Sequence, residues 1–282
     1  MTIRISQSAT ATMLSSAAFV LTIAATPALA GNFDPVMIEP APVTPVAAPA
    51  AAPAFVFSLR GGVATAPEYF GSDEYTVGPD FGFRFHALRL GGLEFGDPDP
   101  LATRRGLSFR GSFRYVDEID TSEYDELDGL DDVDATYELG GGVSYGGANY
   151  MVFADARYGI GGHESWVAEL GGDIIARPTE KLSITFGPRF LLGDDGYADT
   201  YFSVDDDEAG TLDAYDADGG LITAGVELGA RYQFNQDWGI ESALTYDKFV
   251  NDAADSPIVE AGSDEQWGLR IGITRRFTIG AF

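Results

Sequence analysis

"LRIGITRRFTIGAF", Leu269 to Phe282, alternates in character residue by residue. Leu269, Ile271, Ile273 and Phe277 share one parity, and Arg270, Gly272, Thr274 and Arg276 share the other. That alternation describes a strand with one apolar and one polar face. In a soluble sheet the apolar face meets a protein core; in a membrane barrel it meets lipid. The fold turns on which of these two environments the face meets.

The opening of the chain narrows the choice. Arg4 supplies a positive start, "MLSSAAFVLTIAA" (Met13 to Ala25) an apolar run, and "ALA" (Ala28 to Ala30) a small-residue cleavage site. This is the pattern of a secretory signal peptide, with an apolar run too short to span a bilayer. Residues 1–30 are therefore expected to be a cleaved signal, with the mature chain starting near Gly31 outside the cytoplasm. No later apolar run has the length of a membrane helix, so a chain that crosses a membrane here must do so as a closed barrel. Residues 31–54 contain "PVMIEPAPVTPVAAPAAAPA" (Pro35 to Ala54), expected to be an extended Pro/Ala-rich periplasmic tether.

The chain has no cysteine, which removes thiolate chemistry and Cys-ligated metals. Its formal net charge of -27 argues against nucleic acid as a partner and suits acidic loops that stay solvated. A mean hydropathy of -0.02 suits a barrel as well as a soluble protein, because half of every barrel strand is polar.

From Phe55 onward the period is two. Phe55, Phe57, Leu59 and Val63 share a face, as do Phe81, Phe83 and Phe85, and then Leu107, Phe109, Phe113 and Tyr115. Leu139 and Val143, Ile184 and Phe186, Val226 and Leu228, and Ile240 and Leu244 continue the pattern. The opposite parity carries Gly, Ser and Thr with charges of both signs: Arg84, Arg110, Arg114, Arg157, Arg189, Arg231 and Arg270 against Glu138, Asp155, Asp173, Glu227 and Glu241. Such a mixture fits a wet, crowded lumen better than a soluble surface. It is expected to form an ion-pair lining rather than a selectivity filter. Tyr145, Tyr232, Phe234, Trp238 and Tyr246 fall at strand ends, where interfacial girdles sit.

The connections alternate between short ("GGAN", "PTEK", "NQD") and long and acidic, notably Asp117 to Asp134 and Asp194 to Asp218. Outer-membrane barrels have short periplasmic turns and long outer loops. The expected fold is an all-β, antiparallel, up-and-down transmembrane barrel over residues 55–282. About twelve strands are expected, with ten as the alternative and the stretch between Leu88 and Asp97 undefined.

Several blocks resemble the MipA/OmpV family: "PEYFGSDEY" (Pro67 to Tyr75), "GLDDVDATYELG" (Gly129 to Gly140), "GGHESWVAELG" (Gly161 to Gly171), "SITFGPRF" (Ser183 to Phe190), "DTYFSV" (Asp199 to Val204), "AYDADGGL" (Ala214 to Leu221) and "NDAADSPIV" (Asn251 to Val259). They arrive in family order across roughly Phe55 to Phe277. The resemblance implies a bacterial outer-membrane barrel that contacts lipid and lipopolysaccharide and is inserted by barrel-assembly machinery. It further implies a scaffold joining periplasmic murein-degrading and murein-synthesising enzymes; other members are associated with adhesion, permeability, and osmotic or antibiotic responses. The family pattern ends near Arg275 to Phe277, whereas this chain adds "TIGAF", so Phe277 or Phe282 is the terminal aromatic, with position favouring Phe282.

Candidate chemistry is sparse. His163 lies in "GGHES" beside Glu164 and Ser165, but neighbours in one loop seldom form a triad, because triad members converge from separate rigid elements. His86 lies near an expected periplasmic turn. "DAYDADGG" (Asp213 to Gly220) resembles part of a calcium loop but has Gly225 where an EF-hand needs glutamate. Solvated acid is the simpler reading, with weak divalent-cation bridging to lipopolysaccharide left open. No catalytic residue, metal ligand or cofactor is assigned, and no ligand-binding residue is identified. The expected function is a non-enzymatic scaffold, with a narrow pore or an adhesin acting through the acidic loops as alternatives.

Overall fold

A computed structural model describes residues 54–90, 93–102 and 105–280. The expected signal peptide, the tether before Ala54, and Phe282 lie outside the described residues. The elements in chain order are β1 (Ala54–Pro67), β2 (Tyr75–Leu90), β3 (Leu93–Gly96), β4 (Gly106–Val116), β5 (Thr136–Gly146), β6 (Tyr150–Gly161), β7 (Trp166–Thr179) and β8 (Leu182–Gly193). They continue with α1 (Asp195–Phe202), β9 (Gly220–Gln233), β10 (Trp238–Phe249), α2 (Pro257–Glu260) and β11 (Glu265–Gly280).

All strands belong to one antiparallel sheet in the order β3-β2-β1-β11-β10-β9-β8-β7-β6-β5-β4. Each strand from β4 to β11 pairs with its chain neighbour, and β11 returns to β1, with Gly272 opposite Gly62. This is an up-and-down meander whose last strand lies beside its first. Among the described residues its two ends are β3 and β4.

The count differs from the expected twelve. Among the described residues eleven strands form, and β3 is only four residues long, against at least eleven in every other strand. A strand that crosses a bilayer needs about 9–11 residues, so ten strands are long enough. Among the described residues no twelfth strand forms: residues 97–100 read Asp-Pro-Asp-Pro, and proline has no N–H to give a ladder. Asp97 and Asp99 instead accept from the N–H groups of Asp99 and Leu101, both at 2.9 Å, and so cap a turn.

The alternation of β11 holds as expected: Leu269, Ile271 and Ile273 are exposed while Gly272 is buried. The convex face is apolar around the sheet, with Phe81 and Phe109 77% and 79% exposed. A band of that extent is far larger than the apolar patches that water tolerates, and lipid is its natural solvent. Aromatic pairs mark both rims. Tyr145 with Tyr150 and Tyr232 with Phe234 lie at the short-turn end, whereas Tyr115 with Tyr137, Tyr158 with Trp166, and Tyr246 with Trp267 lie at the other.

Short turns at 147–149, 180–181 and 234–237 share one end of the sheet. The other end carries 68–74, 117–135, 162–165, 194–219 and 250–264. The strict alternation of long and short fails at 162–165, which is as tight as the turns opposite. Gly161 and Gly162 take positive φ there, so the chain reverses in four residues.

Candidate functional site

The concave side is an ordered charge network. Every arginine and carboxylate expected in the lumen takes part. Glu138, fully buried, accepts from Arg157 Nε at 2.8 Å, from Arg114 Nε at 2.9 Å and also from Arg114 Nη2. Arg157 reaches on to Glu169 and Ser112, both at 3.0 Å. Arg189 spans Asp173 at 2.9 Å and Glu227 at 3.0 Å, and Glu227 takes a second arginine, Arg270, at 3.0 Å. Glu241 gathers Arg60 at 3.0 Å, Arg84 at 3.2 Å and Arg231 at 3.3 Å, and Arg110 stands 3.2 Å from Asp155. Alternating signs let each carboxylate serve several guanidinium groups, which is what makes burial of so many charges tolerable.

Parity alone did not single out three participants, Arg60, Asp80 and Phe153. Arg60 clamps Asp80 through Nε at 2.6 Å and Nη2 at 2.9 Å. Glu169 extends the Arg157 cluster. Phe153, apolar but on the polar parity, lies between Arg110 and Arg189, whose guanidinium carbons stand 4.2 and 5.3 Å from its ring centre.

Above the network an apolar plug closes the loop-bearing end. The segment from Asp194, expected to be an acidic loop, starts with α1. Asp194 caps it by accepting from Tyr197 N at 3.1 Å, and its other oxygen accepts from Trp166 N at 2.8 Å, which ties the helix to β7. Tyr197 and Tyr201, one turn apart, face inward with Phe202, and all three are buried. Phe249, Val259 of α2 and the partly buried Phe70 complete the cluster. Ser256 donates to the Phe202 carbonyl at 2.7 Å and so fastens α2 to the end of α1. The signal that could have revealed the helix is the Asp cap followed by aromatics at i, i+4.

Two strand glycines make room for the plug. A Cβ at Gly193 would lie 2.5 Å from the Tyr197 ring, and one at Gly159 would lie 2.3 Å from the His163 ring. The connections after β1 and after β4 also meet at this end. Tyr69, after β1, meets Tyr124 of the β4–β5 connection edge-on at 5.1 Å and donates its hydroxyl to Glu126 at 2.8 Å.

His163 enters the same region. Its Nδ1 faces Ser165 Oγ at 2.7 Å and accepts from Ser165 N at 3.2 Å, which leaves the proton on Nε2, 3.4 Å from Glu138 Oε1. The acid in line is therefore Glu138 of β5; Glu164 points outward. Ser, His and Glu stand in a row, but all are buried and Glu138 is neutralised by two arginines. The row ties the tight connection to the lumen, with Ser165 itself buried. His86 is also buried and bonds Ser58 Oγ at 2.7 Å, far along the strands from His163.

A sequence profile of the family described as MltA-interacting protein MipA matches residues 59–277. The chain belongs to the MipA family. This MipA-family protein is an outer-membrane barrel protein. No curated relative matches the sequence. Among solved structures, an outer membrane channel from Pseudomonas putida F1 is 15% identical and has a TM-score of 0.38, with 85% of this chain and all of that chain covered. Neisserial surface protein A is 9% identical with a TM-score of 0.27, covering 78% of this chain and 97% of that one. The CymD monoaromatic hydrocarbon channel is 10% identical with a TM-score of 0.29, covering 80% and 89%. Likeness at this level transfers no residue role.

The connections of this MipA-family barrel at the plugged end, 68–74, 117–135, 162–165, 194–219 and 250–264, contain no lysine or arginine. Many of their acids hold the loops together: Asp132 accepts from Thr121 N at 2.9 Å, Glu208 from Asp131 N at 2.8 Å, and Asp252 from Asp218 N at 3.1 Å. The segment Asp213 to Gly220 gathers no set of three metal-ligating side chains, and neither does any other group of described residues. Burial raises the Tyr201 hydroxyl to about 12, and burial with Glu68 and Glu123 raises Tyr124 to about 12.

Proposed function

We propose that this protein is a filled, non-conducting and non-enzymatic outer-membrane barrel that serves as an envelope scaffold. Its periplasmic turns and the Pro/Ala-rich tether of residues 31–54 are the surfaces offered to murein-processing enzymes. The observation that carries this reading is the lumen: arginines and carboxylates interlock across the strands, and aromatic side chains close the outer end. A channel draws ions along free charged groups, whereas here the lining charges are taken up by one another, between strands one to three places apart in the sheet. The family description, which names interaction with MltA, supports a periplasmic enzyme as partner.

The test is single-channel recording of the refolded protein in a planar bilayer, with heat-modifiable gel migration confirming the fold. Silence is expected. Steady, reproducible conductance steps would replace the scaffold with a narrow pore and make the lumen arginines its selectivity residues. Capture of murein enzymes by the full chain, lost when residues 31–54 are removed, would locate the contact on the tether.

A further inference from the structure

Between the outer connections lies a cavity of about 210 Å³, walled by the 68–74, 117–135 and 194–219 segments with Ile258 of α2. Its wall and its rim differ in chemistry. Tyr69, Phe70, Leu127, Tyr201 and Ile258 form an apolar wall, whereas Asp131, Asp199 and Asp205 stand among the polar residues. We propose that this cavity binds a small organic ammonium ion carrying an aryl or alkyl group.

An anion is repelled, because the loops hold carboxylates and no basic residue. A bare divalent cation takes six to eight oxygens, and among the described residues no three of the lining carboxylates gather to hold one. A neutral apolar solute fits the wall but leaves the carboxylates without a partner. An amphiphilic cation satisfies both, with its hydrocarbon against aromatic faces that also attract positive charge. The side chains of Asp199 and Asp205 make no hydrogen bond or ion pair among the described residues, whereas Asp132 and Glu208, also in the lining, are occupied by loop N–H groups. Loss of hydration and the nearby Glu208, Asp199, Asp207 and Asp206 push the Asp205 carboxyl up from its ordinary value, a strain that a bound cation relieves. The apolar wall is what separates this site from the solvated acids elsewhere on the loops. The proposal stands whether or not the barrel conducts.

The experiment uses the full chain folded in detergent micelles, titrated with 2-phenylethylammonium and, separately, with neutral 2-phenylethanol and with calcium. Saturable one-to-one binding of the ammonium is expected, weakened by added salt and weakened about tenfold in the double variant Asp199→Asn with Asp205→Asn. Those two side chains make no fold contact, so heat-modifiable migration should be unchanged. Equal binding of the alcohol, or an ammonium signal indifferent to the double variant, would show micelle partitioning and overturn the proposal. Calcium binding lost in the variant, without ammonium binding, would overturn it in favour of a metal site.

Discussion

Arg114 Nη2 donates to the hydroxyl of Tyr197 at 3.1 Å, and that contact joins the charged lumen to the apolar plug. The same guanidinium holds Glu138, so strand β4, strand β5 and helix α1 meet at one cation. Disturbing either side should therefore be felt by the other.

Replacing Glu138 with Ala leaves Arg114 and Arg157 facing each other without their shared carboxylate. Removing one partner of a buried ion pair costs about 3–5 kcal/mol. Urea unfolding in lipid, followed by gel migration, should show a loss of that size. A change below about 1 kcal/mol would mean that water already screens the pair.

Phe202→Ala removes a fully buried ring from the plug and should cost about 3–5 kcal/mol of its packing. The strands do not depend on that ring, so the barrel should still migrate as folded. The expected result is flickering conductance where the parent protein is silent. Continued silence would place the block in the ion-pair network below.

Ile271 and Gly272 separate the two faces of β11. Ile271→Arg puts a guanidinium into lipid and should cost about 2–4 kcal/mol near the bilayer midplane. Gly272→Ala acts on the lumen side, where its Cβ would come within 2.7 Å of the Arg60 side chain and force that side chain aside. Refolding yields into vesicles of different thickness should distinguish them, since only the Ile271 variant responds to the bilayer.

Alkali should loosen the plug before the strands. Burial holds Tyr201 and Tyr124 protonated up to about 12, whereas the unfolded chain releases those protons near 10. Between these values the unfolded state has lost protons that the folded state keeps, so stability is full below about pH 10 and falls as pH rises toward 12. Tyrosinate absorbance should show a late-titrating group of hydroxyls whose release coincides with loss of near-ultraviolet dichroism. Titration of all tyrosines near 10 would contradict the buried plug.

The architecture was legible because its cause is local. Leu269, Ile271 and Ile273 alternate with Arg270, Gly272 and Thr274, and a strand sends successive side chains to opposite faces whatever else the chain does. The lumen residues were legible for the same reason, since parity alone put Arg189 and Glu227 on one side. Strand count was less so: Leu93 to Gly96 has strand character, and only the Asp-Pro-Asp-Pro run explains why its return partner does not form.

The sequence by itself determined the class of fold, the two faces of each strand and the membership of the charged lining. Tertiary structure alone decided which charge meets which, because Glu241 draws arginines from β1, β2 and β9, and such pairings depend on curvature and register. It also decided that α1 folds inward as a plug and that Glu138, distant in sequence, rather than Glu164 stands beside His163. Periodicity is a property of neighbours along the chain and survives in any alignment of strands. Contacts between strands exist only after the strands have found their register, and a slip of one residue would turn a strand's lumen side chains outward.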